Sequence, residues 1–326
     1  MLTAEVTGVK QPAKPMLSFA ICTYNRADRL PQLLAAMRAQ ACPVTFEVLV
    51  VDNNSSDATP SVVAEVAAKP GAAVRHVRET EQGIPFASNR ALAEALASEV
   101  LVFIDDDELP YPGLLESAYR ALTEEGARCA GGRVEIVFPG ARPRWLVDEL
   151  LGFLAEVDHG EKAFWIKDPS TPIWTANIAY DMSLFRDSPE LRFDARYNRR
   201  GHGVGGGSDA MMFRELLRRE VPILYCPQMR VQHHVEPWRM RRSYFLRLHF
   251  VAGRKHGQFQ TGDYRRTVLG VPPFMVLAAA RHWLRTAVML FRRQPGVLRQ
   301  AMNGTHALGM IWGRVLRARE SKPNRS

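Results

Sequence analysis

The chain has 326 residues and a formal net charge of +9, with 46% hydrophobic and 24% charged residues. This length accommodates one large α/β domain or two smaller ones, and the composition excludes a disordered or fibrous protein. The four cysteines lie far apart, without the paired spacing of a metal site, which predicts reduced thiols in a cytosolic protein. The first residues lack an apolar stretch, so we predict no secretory signal.

The positive charge is concentrated towards the C-terminus. From residue 227 onward there are 19 Lys and Arg residues against 3 Asp and Glu residues, whereas the first 226 residues hold 24 and 31. A cationic C-terminal third predicts an anionic partner, which could be lipid headgroups, nucleic acid or a phosphorylated substrate.

The first 130 residues alternate between strand-like and helix-like segments. Residues 1–15 are predicted to form a flexible leader. Apolar runs then predict four strands, at 16–22, 46–53, 72–79 and 99–105. Helical patterns separate and follow them, from Leu30, at 88–97 and at 113–124. This alternation predicts a mainly parallel sheet covered by helices on both faces.

Polar clusters follow three of these predicted strands: TYNR, DNNSSD and DDDE. Ligands of such sheets bind beyond the carboxyl ends of the strands, so we expect the clusters to converge on one crevice.

Beyond residue 130 the pattern is less regular. Further strands are predicted at 131–138, 175–180 and 222–227, and a glycine-rich loop opens a helix near Ser208. The GVGGG stretch in this loop lacks the GK[ST] ending of a phosphate-binding P-loop, so that interpretation is rejected.

A long apolar segment lies in the basic tail, at residues 274–291, and Arg281, His282 and Arg285 interrupt it. Such charges are poorly tolerated in the middle of a bilayer, which favours an amphipathic helix lying in the membrane surface over a spanning one. The alternative is a core helix that packs on the main domain.

The acidic cluster ends the fourth predicted strand, in LVFIDDDELP. Asp105 and Asp107 are two residues apart, so their side chains can point the same way and share one divalent cation. Carboxylate oxygens suit Mg²⁺ or Mn²⁺, which commonly bridge carboxylates to substrate phosphates. The alternative is a solvated acidic turn.

Four motifs in register resemble glycosyltransferase family 2: CTYNR, VVDNNSSDAT, GIPFASNRALAEA and FIDDDE. The resemblance runs from about residue 17 to residue 257. It implies a GT-A fold, a nucleotide-sugar donor, inversion of configuration and a divalent metal. It also implies that the donor nucleotide contacts Thr23, Tyr24, Arg26, Asp52, Asn89, Arg90, Asp105 and Asp106, with Asp107 on the metal.

Two further segments resemble parts of the same family. In GGGSDAMMFREL, Asp209 would be the general base, although Ser208 stands where a Glu is common; Asp209 could instead cap its helix. In VQHHVEPWR, His233 would bind the metal or the diphosphate, and Arg239 would neutralise the leaving diphosphate. If this segment is extended, only one of His233 and His234 can reach the site.

The resulting expectation is an α/β protein with a GT-A catalytic domain at 16–260, whose nucleotide-binding part is 16–130 and acceptor part 131–260. A basic amphipathic helical tail follows at 261–326. The protein would transfer sugar from a UDP- or GDP-sugar to a saccharide or polyprenyl-diphosphate-linked acceptor. It would work in bacterial polysaccharide synthesis on the cytoplasmic face of the cell membrane, with no nucleic-acid partner. The alternatives are a nucleotidyltransferase and a non-catalytic protein that binds membranes or nucleic acid.

Overall fold

The structure is a computed structural model and describes residues 15–199 and 203–320. Apart from Pro15, the predicted leader lies outside these residues, as does the end of the predicted tail, at 321–326.

The N-terminal half alternates strands and helices as predicted. Three of its strands, at 17–23, 46–52 and 100–105, are mostly apolar because helices cover both faces of the sheet there, and the second is buried from Glu47 to Asp52. The strand at 73–78 is partly exposed and carries Arg75, His76 and Arg78. The helix α3 begins four residues earlier than the predicted position 88, because Gly83 adopts a φ of +147° and Pro85 occupies the first turn. The elements are β1 (Leu17–Thr23), α1 (Leu30–Arg38), β2 (Phe46–Asp52), α2 (Thr59–Ala67), β3 (Ala73–Arg78), α3 (Ile84–Glu94) and β4 (Val100–Asp105).

The rest of the chain completes the sheet and then becomes helical. The strand predicted at 222–227 extends to His234, so both histidines of the HH pair lie on a strand. The elements are β5 (Glu108–Pro110), α4 (Leu114–Thr123), β6 (Cys129–Val137), β7 (Phe164–Ile166), β8 (Asn177–Asp181), α5 (Ser183–Asp187), α6 (Ser208–Arg218), β9 (Ile223–His234), α7 (Arg242–Lys255), α8 (Pro273–Phe291) and α9 (Val297–Glu320).

Within the described residues the strands form one nine-stranded mixed sheet. Its order is β3-β2-β1-β4-β8-β6-β9-β5, and β7 pairs with β9. Strands β3, β2, β1 and β4 are parallel, whereas β8 runs antiparallel to both β4 and β6. The predicted α/β sheet with flanking helices is therefore confirmed, but it is evenly mixed and not mainly parallel, since four of the described strand pairings are parallel and four are antiparallel.

Strand register brings the polar clusters together. Thr23 of β1 lies opposite Asp52 of β2, and Cys22 lies opposite Asp105 of β4, because these parallel strands end at the same edge of the sheet. The antiparallel pairing of β5 with β9 places Glu108 opposite His233. Two segments that are 125 residues apart in the sequence therefore meet at the acidic turn.

The C-terminal helices pack on one another and on the preceding part of the chain. A Cβ on Gly253 of α7 would lie 2.1 Å from the carbonyl oxygen of His306 in α9, and one on Gly309 would lie 2.1 Å from that of Phe250 in α7. Glycine therefore allows the two backbones to touch. Met302 of α9 is fully buried in a core cluster that includes Phe245. The predicted boundary at residue 260 stays a prediction, and the tail beyond it is in part a layer of the same packed structure.

Candidate active site

A cleft with a volume of ≈ 310 Å³ lies beyond the carboxyl ends of β1 and β4. It draws its lining from the first half of the chain, the glycine-rich loop before α6, and the segment after β9. The predicted site residues that line it are Thr23, Tyr24, Arg26, Asp105, Asp106, Asp107, Asp209, His233 and Arg239. The convergence expected from the sequence thus occurs for these nine residues.

The acidic turn contributes the cleft floor. Asp106 accepts a hydrogen bond from the Thr23 hydroxyl at 2.8 Å and lies 3.6 Å from Nε of Arg26. The buried Glu108 accepts from the backbone N–H of Asp105 at 2.8 Å, which holds the turn closed. Burial raises the pKa of Glu108 to about 8. Sequence reasoning counted Glu108 as one of four acids but gave it no role.

Asp105 and Asp106 carry negative charge that the surrounding cations only partly offset. The Asp105 side chain opens to the cleft, but the protein around it and the charge of Asp107 raise its pKa. Burial and the same neighbouring charge raise the pKa of Asp106 to about 6. A divalent cation would relieve this repulsion.

Asp107 is paired with two cationic side chains. Its Oδ1 lies 3.2 Å from Nδ1 of His233, and its Oδ2 lies 3.7 Å from Nη1 of Arg239. Burial raises the pKa of Asp107, but these positive charges outweigh it, so the pKa lies below its usual range. Burial lowers the pKa of His233, and Asp107 and Glu108 more than reverse this.

His233, and not His234, belongs to the cleft. The segment is extended, so the two side chains point to opposite sides of β9, and His234 lines a separate pocket with Arg29. Both ring nitrogens of His233 face protein groups, Nδ1 towards Asp107 and Nε2 towards Arg239 at 3.0 Å. Direct ligation of a metal by His233 stays a prediction, and in the described structure its Nδ1 lies beside the Asp107 carboxylate.

The donor set nevertheless fits a hard cation. Asp105 and Asp107 offer carboxylate oxygens at one turn, and oxygen is the ligand that Mg²⁺ and Mn²⁺ prefer. Within residues 15–199 and 203–320, no group of three or more His, Cys, Asp and Glu side chains is arranged as a metal site. Asp105 and Asp107 would therefore supply only some of the ligands of such an ion.

Arg26 forms a second ion pair that sequence reasoning missed. Its Nη1 donates to Glu236 at 2.6 Å, and Trp238 donates its indole N–H to the same carboxylate. Glu236 and Trp238 also line the cleft. Because Glu236 is 210 residues from Arg26 in the sequence, no local pattern could have indicated this contact.

Three predicted nucleotide ligands lie outside the cleft. Asp52 is fully buried and accepts a hydrogen bond from the Ser55 N–H at 2.9 Å, while the next residue, Asn53, lines the cleft. The Asn89 side chain exchanges hydrogen bonds with the backbone of Phe193.

Arg90, the third of these residues, pairs with Glu94 on the outer side of α3, at 2.9 Å. Ile84, Ala87 and Ser88 of the same helix face the cleft instead. The start of α3 at Ile84 fixes which of its side chains point inward. The donor-nucleotide contacts expected for Asp52, Asn89 and Arg90 stay predictions, and none of the three residues lines this cleft.

Asp209 stands in the first turn of α6, at the opposite wall. Gly205 and Gly207 precede it with φ values of +81° and +113°, a backbone conformation that other residues rarely adopt. Its Oδ1 accepts from the Ala210 N–H at 2.8 Å, whereas the N-cap of the helix is Gly207, so Asp209 is not the helix cap that the sequence left as an alternative. Burial raises the pKa of Asp209, which suits a carboxylate that accepts a proton.

A buried lysine organises the loop in front of Asp209. Lys255 of α7 donates from Nζ to the carbonyl oxygens of Tyr197, Asn198 and Gly206, at 2.8, 3.0 and 2.8 Å. Burial lowers its pKa to about 8. The sequence alone gave no sign of this role, because a single Lys in a basic segment is usually exposed.

The chain is similar in sequence to known glycosyltransferases. The model of Glycosyl transferase family 2 matches residues 18–188. Glycosyltransferase AglE of Haloferax volcanii is 29% identical over 126 residues, which cover 38% of this chain and 41% of AglE. Succinoglycan biosynthesis protein ExoO of Rhizobium meliloti is 29% identical over 123 residues, which cover 38% of this chain and 34% of ExoO. The matches thus span less than half the length of these relatives.

The fold has solved counterparts. The mannosyltransferase PcManGT from Pyrobaculum calidifontis, in complex with GDP-Man and Mn²⁺, superposes with a TM-score of 0.57 over 92% of this chain and 88% of that one, at 20% identity. The sheet, its helices and the cleft define a protein with the GT-A fold of glycosyltransferases. With the family model matching more than half of its residues, the chain belongs to glycosyltransferase family 2.

Proposed function

We propose that this protein is an inverting glycosyltransferase that moves a sugar from a nucleoside-diphosphate donor to a saccharide or lipid-linked acceptor. One observation carries the proposal: Asp209 and the Asp105–Asp107 turn line the same cleft. A sugar hydroxyl is a weak nucleophile that needs a base, and a departing diphosphate needs positive charge. The two walls of this cleft meet these two needs.

The donor nucleotide would bind at the ends of β1 and β2. Thr23, Tyr24 and Arg26 line this part of the cleft, together with Asn53. The solved complex of PcManGT with GDP-Man supports a nucleotide-sugar as the donor class. The donor would be a UDP- or GDP-sugar.

Asp105 and Asp107 would hold the divalent ion, Mn²⁺ or Mg²⁺, whose positive charge stabilises a departing diphosphate when it is bound. Arg239 and His233 add fixed positive charge at the same wall, within 3.7 and 3.2 Å of Asp107. Because these groups are already oriented by Asp107, they need little reorganisation during the reaction.

Asp209 would accept the proton of the acceptor hydroxyl as that oxygen attacks the anomeric carbon. Its raised pKa makes it a stronger base than an exposed aspartate. A single displacement assisted by one base predicts inversion at the anomeric carbon.

The acceptor would be a saccharide carried on a membrane lipid, such as a polyprenyl diphosphate, during cell-surface or exopolysaccharide synthesis. The name of ExoO, a succinoglycan biosynthesis protein, and the cationic C-terminal third support this assignment. The protein would then act peripherally on the cytoplasmic face of the cell membrane.

The test is a panel of UDP- and GDP-sugars, measured by thermal shift and by donor hydrolysis with and without Mn²⁺. We expect one donor to raise the melting temperature only with the metal. Asp107→Asn should lose this metal-dependent shift, whereas Asp209→Asn should keep it and lose turnover.

Asp148→Asn is the matched control for both variants, because its side chain is 86% exposed and lies outside the cleft. Normal turnover by Asp209→Asn would show that Asp209 is not the base. A nucleotide response that does not depend on metal would remove the role of the acidic turn.

A further inference from the structure

Exposed apolar side chains are concentrated in one region of the molecule. Of the 15 large hydrophobic residues that are exposed in the described part of the chain, 13 lie between Tyr264 and Trp312. The other two, Val147 and Trp165, stand apart on the catalytic domain. Single exposed apolar residues are normal, but a concentration of this kind marks an interaction surface.

The helix α8 forms the centre of this region and has two apolar faces. Met275, Ala279 and Thr286 are buried on the inner face, where His282 also accepts a hydrogen bond from Gln300 of α9. At about 100° per residue, the side chains at 277, 284, 288 and 291 point away from α9, within about 40° of the direction opposite Met275. We call these four residues the outer face: Leu277, Leu284, Val288 and Phe291.

The outer face is uncovered in the described structure. Leu284 is 68% exposed and Phe291 90% exposed. The nearby turn adds Val268 and Leu269, which are 72% and 73% exposed. A helix that only packed in the core would bury both faces, so α8 is not the core helix that the sequence left as an alternative.

The charge around the outer face is of one sign. Residues 264–319 contain ten arginines and no Asp, Glu or Lys. Arg281 and Arg285 are exposed and flank the outer face on the same helix. A second copy of the chain on this face would bring like charges together, whereas anionic lipid headgroups complement them.

The contacts of α8 decide how it would lie on a bilayer. By length and composition it is the one described helix that could cross a membrane. However, its inner face is held by α9, where Gly304 lies against the Trp283 ring, and α9 is itself packed backbone to backbone on α7. Crossing would strip α8 from α9 and place Arg281 and Arg285 in hydrocarbon.

We propose that the outer face of α8, with Val268 and Leu269, docks in the plane of an anionic bilayer surface. The apolar side chains enter the headgroup boundary, and the flanking arginines pair with lipid phosphates. The proposed function needs such a surface to reach a lipid-borne acceptor. The docking itself rests on the exposure and charge of this surface, and vesicle binding tests it independently of enzymatic activity.

The experiment is flotation of the full chain with vesicles of phosphatidylglycerol or of phosphatidylcholine. We expect binding to the anionic vesicles and at least tenfold weaker binding to the zwitterionic ones. The double variant Leu284→Glu/Phe291→Glu should lower anionic vesicle binding about a hundredfold, because each side chain contributes about a factor of ten. Arg281→Gln should lower it about fivefold and reduce its salt dependence.

The double variant Val147→Glu/Trp165→Glu is the matched control, since it adds the same two negative charges at exposed apolar sites elsewhere and should bind like the parent. Circular dichroism confirms that each variant is folded. Equal binding by Leu284→Glu/Phe291→Glu would overturn the proposal. Binding that survives carbonate extraction would overturn it in favour of a spanning helix, and a dimer that Leu284→Glu/Phe291→Glu dissociates would overturn it in favour of self-association.

Discussion

Replacing Lys255 by Met tests whether one buried ammonium group holds the loop in front of Asp209. The side chain is 4% exposed and donates three hydrogen bonds to backbone carbonyls on either side of residues 199–205. Methionine has a similar length and no donor. The variant should therefore fill the same space but leave three carbonyl groups without their partner.

The expected magnitude follows from these contacts. Three hydrogen bonds from a charged donor contribute roughly 1.5–3 kcal/mol each. Burying the ammonium opposes this: the pKa falls from 10.5 to about 8, which corresponds to about 3 kcal/mol. The free energy of unfolding should therefore fall by roughly 1.5–6 kcal/mol. Turnover should fall more than donor affinity, because the loop leads directly into the helix that carries Asp209.

The assay is urea denaturation of the parent and of Lys255→Met between pH 8 and 10.5. In this interval the unfolded chain keeps the Lys255 proton and the folded chain has released it, so the stability of the parent should rise with pH relative to the variant. Arg247→Met, at an exposed position of the same helix, is the control and should change stability by less than about 0.5 kcal/mol. A variant as stable as the parent, with the same pH dependence, would refute the reasoning.

Two further outcomes are expected. Gly309→Ala should lower the free energy of unfolding by roughly 1–3 kcal/mol in urea denaturation, because its Cβ would lie 2.1 Å from the Phe250 carbonyl oxygen. The control Gly140→Ala has open space around its Cβ and should hardly change this free energy. Equal losses in the two variants would contradict the close contact. In the pH profile of kcat/KM, the apparent pKa of the acidic limb should lie above 3.8, the ordinary aspartate value, because burial raises the pKa of Asp209. The ionised form that acts as base is lost as the pH falls through this raised pKa. A limb at or below 3.8 would assign the base to another group.

The fold was accessible from the sequence because its signals are local. The buried parallel strands are mostly apolar, with Ser18 and Glu47 as exceptions near their starts. Polar residues begin again where the strands end, as at Thr23 and Asp105. Parallel register then carries these ends to one edge without further information. Elements with weak signals, such as the three-residue strands β5 and β7, escaped prediction.

The parts of the site that the sequence did not predict depend on the direction of side chains or on contacts between residues far apart in the sequence. The helix α3 begins at Ile84 and not at the predicted residue 88. With this start, Ser88 faces the cleft and Arg90 pairs with Glu94. The contact of Glu236 with Arg26 spans 210 residues, and that of Lys255 with Tyr197 spans 58. Neither follows from periodicity, because both are set by how the second half of the chain folds over the first.

The glycine contacts between α7 and α9 limit how the protein can be shortened. A chain ending before α9 would uncover the α7 backbone at Phe250 and leave Phe245 without Met302 above it. Such a truncation would expose new apolar surface on α7. A more soluble variant should therefore replace the apolar side chains on the outer face of α8 individually and keep α9.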